Sequence, residues 1–280
     1  MAVRIVTDSA CDLPESACRE FGIEVVPLTI RFGEREYVDR VELSVDAFWR
    51  ELLASPVLPE TAAPSVGAFE EAFRRVAAEG ADGIVCVNLS SRLSATMQSA
   101  QLAAKALEGE IEIAVVDSLN ASMGEGNLAL VGARAAAAGA SVAEVVTAIE
   151  SARERLHVFA TLDTLEYLRK GGRIGGAQAM LGSVLSIKPV VSVVDGTVQP
   201  VGKVRTRSKA LQAVLERVPT EPGAIESVCV LHAGAPEIDA FVADLRAIVG
   251  GVEVIIGTIG PVVGVHTGPR VLGLAYIQRV

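Results

Sequence analysis

The sequence predicts an α/β protein of two α/β domains: an N-terminal parallel, helix-covered sheet over residues 1–154 and a C-terminal mixed sheet over residues 155–280. Three observations lead there. Short β-branched runs alternate with capped, alanine-rich stretches through the first half, the pattern of parallel strands joined by crossover helices. In the second half, two alternating runs flank Asp195-Gly196, a hairpin signal. The 280 residues also exceed what one ordinary core serves and suit two domains.

In chain order, VRIVT (3–7) reads as a buried strand ending at Asp8-Ser9. Asp12 is placed to cap a helix over 13–21, with Pro14 in its first turn, Glu15 three residues on and Gly22 as its stop. IEVVPLTIRF and EREYV read as strands around Phe32-Gly33. Ser44 caps a helix to about Ala54, and Ser65 caps another to about Glu79, closed by Gly80. GIVCVNL (83–89) is a second buried strand, followed by a Ser/Thr-rich turn and a helix to about Leu107. IEIAVVD (111–117) is a third strand, and helices over 121–138 and 142–155 end the first half. HVFATL (157–162) opens the second half as a strand. A helix in LEYLRKGG, a helix over 175–186 and the hairpin over 190–204 follow. Helix 206–217, strand 226–231, helix 236–249 and strand 252–258 come next. GPVVGVHTGPR (260–270) is a bent apolar segment around one of three histidines.

The bulk composition excludes several classes. A formal charge of −9 argues against general nucleic-acid binding. The cysteines at 11, 18, 86 and 229 have no metal-site spacing, and no cofactor is expected. The N-terminus lacks a signal-peptide apolar region and no run suits a bilayer span, so a soluble, cytoplasmic protein is expected. One window departs from the average. Arg169 to Lys209 holds eight basic residues and one acid, Asp195, against an acidic remainder. Such a face suits an anionic ligand group or an acidic partner.

Three stretches can carry chemistry. LSSRLSATMQSA (89–100) follows a strand and opens a helix, so Ser90, Ser91, Ser94 and Thr96 could serve as helix caps or, with unpaired backbone N–H groups, hold an anion. TAAPS (61–65) adds the Thr61 hydroxyl. His266 is either a packed core histidine or a polar contact. A nucleophilic reading pairs Ser94 with His266 and Asp8 or Asp117, an acyl hydrolase, although G-x-S-x-G and a phosphate-binding P-loop are both absent.

Taken with TDSACDLP (7–14), VVDS (115–118), LEYLRKGGRI (165–174) and IKP (187–189), these stretches run in order along nearly the whole chain. In that combination the sequence resembles the DegV family, bacterial fatty-acid-binding proteins that present lipid to a fatty acid kinase. The resemblance implies a long-chain fatty acid in a buried tunnel between the two domains, its carboxylate held by Thr61 and Ser94 with His266 beside it. Arg173 belongs at the same end. Asp8, Ser9, Ser91, Thr96 and Thr267 are expected near the head group or just behind it. The family further implies a non-catalytic carrier, a separate ATP-binding kinase subunit that forms the acyl phosphate, and transient exchange with the membrane surface. Arg205 and Arg207, with Arg173, are expected to face the phosphoryl group or the kinase. A carrier or sensor with no kinase partner is the alternative besides the hydrolase. The chain departs from the family pattern at Ala62, Ala63, Ala95, Met97 and Arg270.

The composition fits such a ligand. Aromatics are only 4% of a chain that is 50% hydrophobic, leaving Ala, Val, Leu and Ile to line an alkyl tunnel. Burying roughly 14 methylenes contributes on the order of 11 kcal/mol, against an association cost of at least about 4 kcal/mol. The carboxylate must then be paired, because a bare buried charge costs more than the tail supplies.

Overall fold

The structure is a computed structural model and describes residues 2–181 and 187–280. Strand β1 (Val3–Asp8) runs into a 3-10 turn (Ser9–Cys11) and helix α1 (Glu15–Phe21). Then come β2 (Glu24–Val26), β3 (Thr29–Phe32), β4 (Arg35–Val38), α2 (Val45–Ala54), β5 (Glu60–Ala62) and α3 (Val66–Ala78). β6 (Gly83–Asn88), α4 (Thr96–Ala106), β7 (Glu112–Asp117), α5 (Met123–Ala137) and α6 (Val142–Glu154) follow. The second half comprises β8 (Leu156–Thr161), α7 (Glu166–Lys170), a 3-10 turn (Gly175–Met180), β9 (Lys188–Val194), β10 (Thr197–Val204) and α8 (Arg207–Leu215). It closes with β11 (Ile225–His232), α9 (Ile238–Val249), β12 (Val254–Thr258), α10 (Pro261–Thr267) and β13 (Leu272–Gln278).

Both expected sheets are present. β2-β1-β6-β7 is fully parallel, and β10-β9-β8-β13-β11-β12 is mixed, with β11 and β12 as its parallel pair. The hairpin turn sits at Asp195 (φ 48°) and Gly196 (φ 75°), the twin positive φ of a type I′ turn. Ser44 and Ser65 cap α2 and α3 by accepting from Ala47 and Ala68 N–H.

Five readings need correction. Asp12 does not cap α1, whose N-cap is Pro14. Asp12 instead has φ 54° and turns its carboxylate inward to Arg40, Ser122 and Gly260, charge-assisted bonds worth more to a buried carboxylate than a cap. IEVVPLTIRF divides at Pro27, which has no N–H to offer a ladder: β2 joins the parallel sheet, while β3 joins a third sheet, β4-β3-β5. Residues 175–180 form a 3-10 turn, because Gly175 (φ 51°) and Gly176 lie too close to β10 for a side chain; the rest of that predicted helix, 182–186, lies outside the described residues. Residues 260–270 contain a helix, α10. The strand reading stops at 258, yet β13 is central, hydrogen-bonded to β8 and β11.

Helix α5 lies between the sheets, against β1 on one side and β11 and β13 on the other. Its first ten residues are nearly all buried, and Gly126 admits the Cys11 carbonyl where a side chain would clash. One apolar cluster therefore runs through Val85, Val87, Leu128, Val158, Val191 and Leu231, joining the two sheets.

Glu125 of α5 is fully buried at this junction. Its Oε1 accepts from Thr7 Oγ1 at 2.9 Å, and it lies beside the Asp8 carboxyl. Burial and the Asp8 charge push Glu125 well above the usual carboxyl range, while burial lifts Asp8 to about 6 despite N–H donors from Ala10, Asn88 and Leu89. Both folded values exceed the unfolded ones of about 4. Their contribution is thus complete below about pH 4 and is lost as pH rises through the folded values. The urea midpoint of the wild type should fall from pH 5 to pH 8, with a shallower fall in Glu125→Gln. Equal slopes would refute a raised Glu125 carboxyl as the cause.

Candidate functional site

A cavity of ≈ 310 Å³ opens between the parallel and mixed sheets, within the range of about 300–1,000 Å³ typical of small-ligand sites. Its walls are aliphatic: Leu28, Leu89 and Leu93 on one side, Val158, Val191 and Leu231 on the other. Thr61, Ser94, Arg173, His266 and Thr267 also line it. No carboxylate lines it among the described residues.

Thr61 enters from β5, which pairs Thr61 with Ile30 of β3. His266 comes from the last turn of α10, 205 residues away, and its Nε2 lies 3.2 Å from Thr61 Oγ1. Nδ1 is buried without a hydrogen-bond partner and faces Gly171, where a Cβ would overlap it. An unpaired lone pair costs less there than an unpaired N–H, so the neutral ring carries its proton on Nε2. Burial, reinforced by the Arg173 charge, lowers His266 from 6.5 to about 4. At neutral pH the site therefore holds a neutral imidazole that can donate.

Arg173 supplies the charge. Its Nε donates to Leu93 O (3.1 Å) and its Nη1 to Gly171 O (2.7 Å), which among the described residues engages two of the five guanidinium N–H groups. The two carbonyls clamp the side chain between the β6–α4 turn and the end of α7. Ser94 lies in that β6–α4 turn. Its Oγ accepts from Thr96 N (3.3 Å) and sits 2.9 Å from Thr96 Oγ1, so it both braces the start of α4 and lines the cavity.

The remaining expected residues divide between the cavity's edge, the layer behind it and more distant positions. Thr96 is buried behind Ser94, and Thr267 donates to Val263 O within α10. Asp8 and Ser9 stand one layer back: Asp8 holds the Leu89 N–H, and Ser9 Oγ accepts from Leu28 N, both from wall residues. Ser91 is exposed and donates to Asp117 Oδ2 at 2.5 Å, away from the cavity. Arg205 is exposed in the bend between β10 and α8. The Arg207 side chain is only 12% exposed, lies near Asp163 and Glu237 and donates to Arg270 O, so it serves an internal ion cluster instead of an open face. Arg270 points into that same cluster.

A hydrolytic triad is not assembled. Among the described residues no hydrogen bond joins Ser94 to His266, and Asp8 and Asp117 are bound to other groups. No cluster that could hold a metal, and no helix long and apolar enough to cross a membrane, occurs among the described residues. Sequence reasoning missed Gly171 and Ser122. The Gly-Gly after LRK was a signal for the first, since glycine marks either a positive φ, as at Gly172, or a close approach, as at Gly171.

The family model described as "Uncharacterised protein, DegV family" matches residues 2–279. A DegV domain-containing protein of Streptomyces coelicolor is 40% identical over 282 residues, covering 99% of each chain. Among solved structures, a DegV family protein of Thermus thermophilus described as fatty-acid-binding superposes with a TM-score of 0.88 at 32% identity, covering 100% of both chains. A stearic-acid-binding protein of Eubacterium ventriosum gives 0.90 at 28%, covering 99% of this chain and 98% of its own. With the motif order, the sheet architecture and these matches in agreement, the chain belongs to the DegV family.

Proposed function

We propose that the chain binds one long-chain fatty acid in the inter-sheet cavity as a non-catalytic carrier. One observation carries the reading: an aliphatic cavity presents a guanidinium, a neutral imidazole and hydroxyls that include those of Thr61 and Ser94, with no carboxylate among the described residues to neutralise them. Such a set suits an anion attached to an alkyl chain. The relatives described as binding fatty acids support it. Thr61, Ser94 and His266 donate to the carboxylate, and Arg173 balances its charge. Native mass spectrometry of purified protein, followed by denaturing extraction, tests this. A stoichiometric fatty acid released intact is expected; an empty protein that also refuses added palmitate and oleate would sink the reading. Ester turnover lost on Ser94→Ala would favour the hydrolase instead.

The carrier acts in the cytoplasm, presents the carboxylate to a separate ATP-dependent kinase subunit, and exchanges lipid at the membrane surface. Of the three arginines expected to face that partner, Arg205 is the exposed one, and it provides the docking charge. Arg205→Glu should lower acyl-phosphate formation with an added kinase subunit at least tenfold while oleate binding stays unchanged. Unchanged coupling would leave a stand-alone carrier or sensor.

A further inference from the structure

Arg173 is the charged residue that lines the cavity among the described residues, and a buried acid bonds the start of the helix that carries His266. Asp12 is 1% exposed. Its Oδ1 accepts from Gly260 N (2.8 Å) and from Arg40 Nη2 (2.7 Å), and its Oδ2 accepts from Ser122 Oγ (2.6 Å). Arg40 Nη2 also donates to Thr258 O at 3.1 Å, so carboxylate and guanidinium bracket the corner between β12 and α10. Gly260 is the N-cap of α10, and its missing Cβ leaves the space that Arg40 fills. Gly257 likewise lacks room for a Cβ against the Asp12 carbonyl and Met123.

Three walls of the cavity meet on this one carboxylate. Arg40 follows β4, whose sheet also holds Thr61 on β5. Ser122 lines the cavity and precedes α5, and Gly260 opens the helix that ends at His266. We propose that Asp12, paired with Arg40, is a positioning residue that fixes the β12–α10 corner and so sets His266 against Thr61. The ligand readout of this inference rests on the fatty-acid reading; its geometric readout does not. Gly260 and His266 stand less than two turns apart on one short helix, so the position of the N-cap sets where the imidazole lies. Arg40 also faces a second buried acid, Asp39. Asp12 is the one that accepts the guanidinium bond, while burial lifts Asp39 to about 7.

A purely stabilising ion pair would lower stability and leave the histidine's surroundings alone. A positioning pair changes them. NMR titration of the ligand-free protein, with His266 assigned by His266→Gln, separates the two. In the wild type, His266 should remain neutral down to pH 5, Arg173 being the charged side chain that acts on it. In Asp12→Asn its midpoint should rise by at least one pH unit, and oleate affinity, read by displacement of a fluorescent fatty acid, should fall about tenfold. Should Asp12→Asn not fold, Arg40→Gln carries the test, with shifts in the same direction. A folded variant of either kind with an unmoved His266 titration and an oleate affinity within twofold of wild type overturns the proposal. Failure of the wild type to bind oleate overturns the fatty-acid reading alone, because the titration still decides the role of Asp12.

Discussion

Arg173→Gln should weaken oleate binding by about 3 kcal/mol, on the order of 100-fold, the usual cost of deleting one partner from a buried charge pair. The cavity supplies no second cation, and no acid neutralises the first among the described residues. A bound carboxylate would then keep two hydroxyls and an imidazole but no opposing charge. Displacement of a fluorescent fatty acid measures the loss, and lipid carried through purification should disappear with it. A second readout is independent of ligand. Arg173 helps hold His266 down near 4, so its removal should move the His266 midpoint upward. Arg173→Lys should recover part of the affinity, since the charge returns without the planar clamp between Leu93 and Gly171. An Arg173→Gln protein binding oleate within threefold of wild type would remove the charge argument.

What the sequence disclosed follows from where each interaction lies along the chain. β1 and β6 are continuous buried runs and are readable as such, because strands covered on both faces need no alternation. The Asp195-Gly196 turn is readable because its two positive φ values require such residues locally. β5 is not: Glu60–Ala62 has no strand pattern of its own and becomes one by pairing with β3. α10 is short, rich in valine and interrupted by Gly264, so local propensity argues against a helix. Gly264 is there because Phe48 and Trp49 occupy the place of a side chain, a demand made by α2. Asp12 misleads for a related reason. Its neighbours form a capping pattern, and the groups that claim its carboxylate lie 28, 110 and 248 residues away. The site residues Thr61, Ser94, His266 and Arg173 were named through motif order. Their convergence on one cavity belongs to the tertiary structure.

The same dependence on close approach predicts a large effect from a single methyl group. Gly171→Ala should cost about 1–3 kcal/mol of stability, the range for overpacking a filled site, and should lower oleate affinity at least tenfold. The backbone is not the obstacle, since Gly171 has an ordinary helical φ of −76°. The obstacle is space: the new Cβ overlaps His266 Nδ1 and presses on the Tyr167 carbonyl. The imidazole cannot retreat along its helix, because Gly264 is packed on Phe48 and Trp49 and Gly268 on the Tyr167 ring. It must instead rotate out of its 3.2 Å contact with Thr61. A double-mutant cycle makes the cause visible. Thr61→Val alone should weaken binding, but added to Gly171→Ala it should weaken binding much less, because the contact it removes is already broken. Additive losses would mean that Thr61 and His266 act on the ligand separately, and that the pairing across β5 and α10 is incidental to binding.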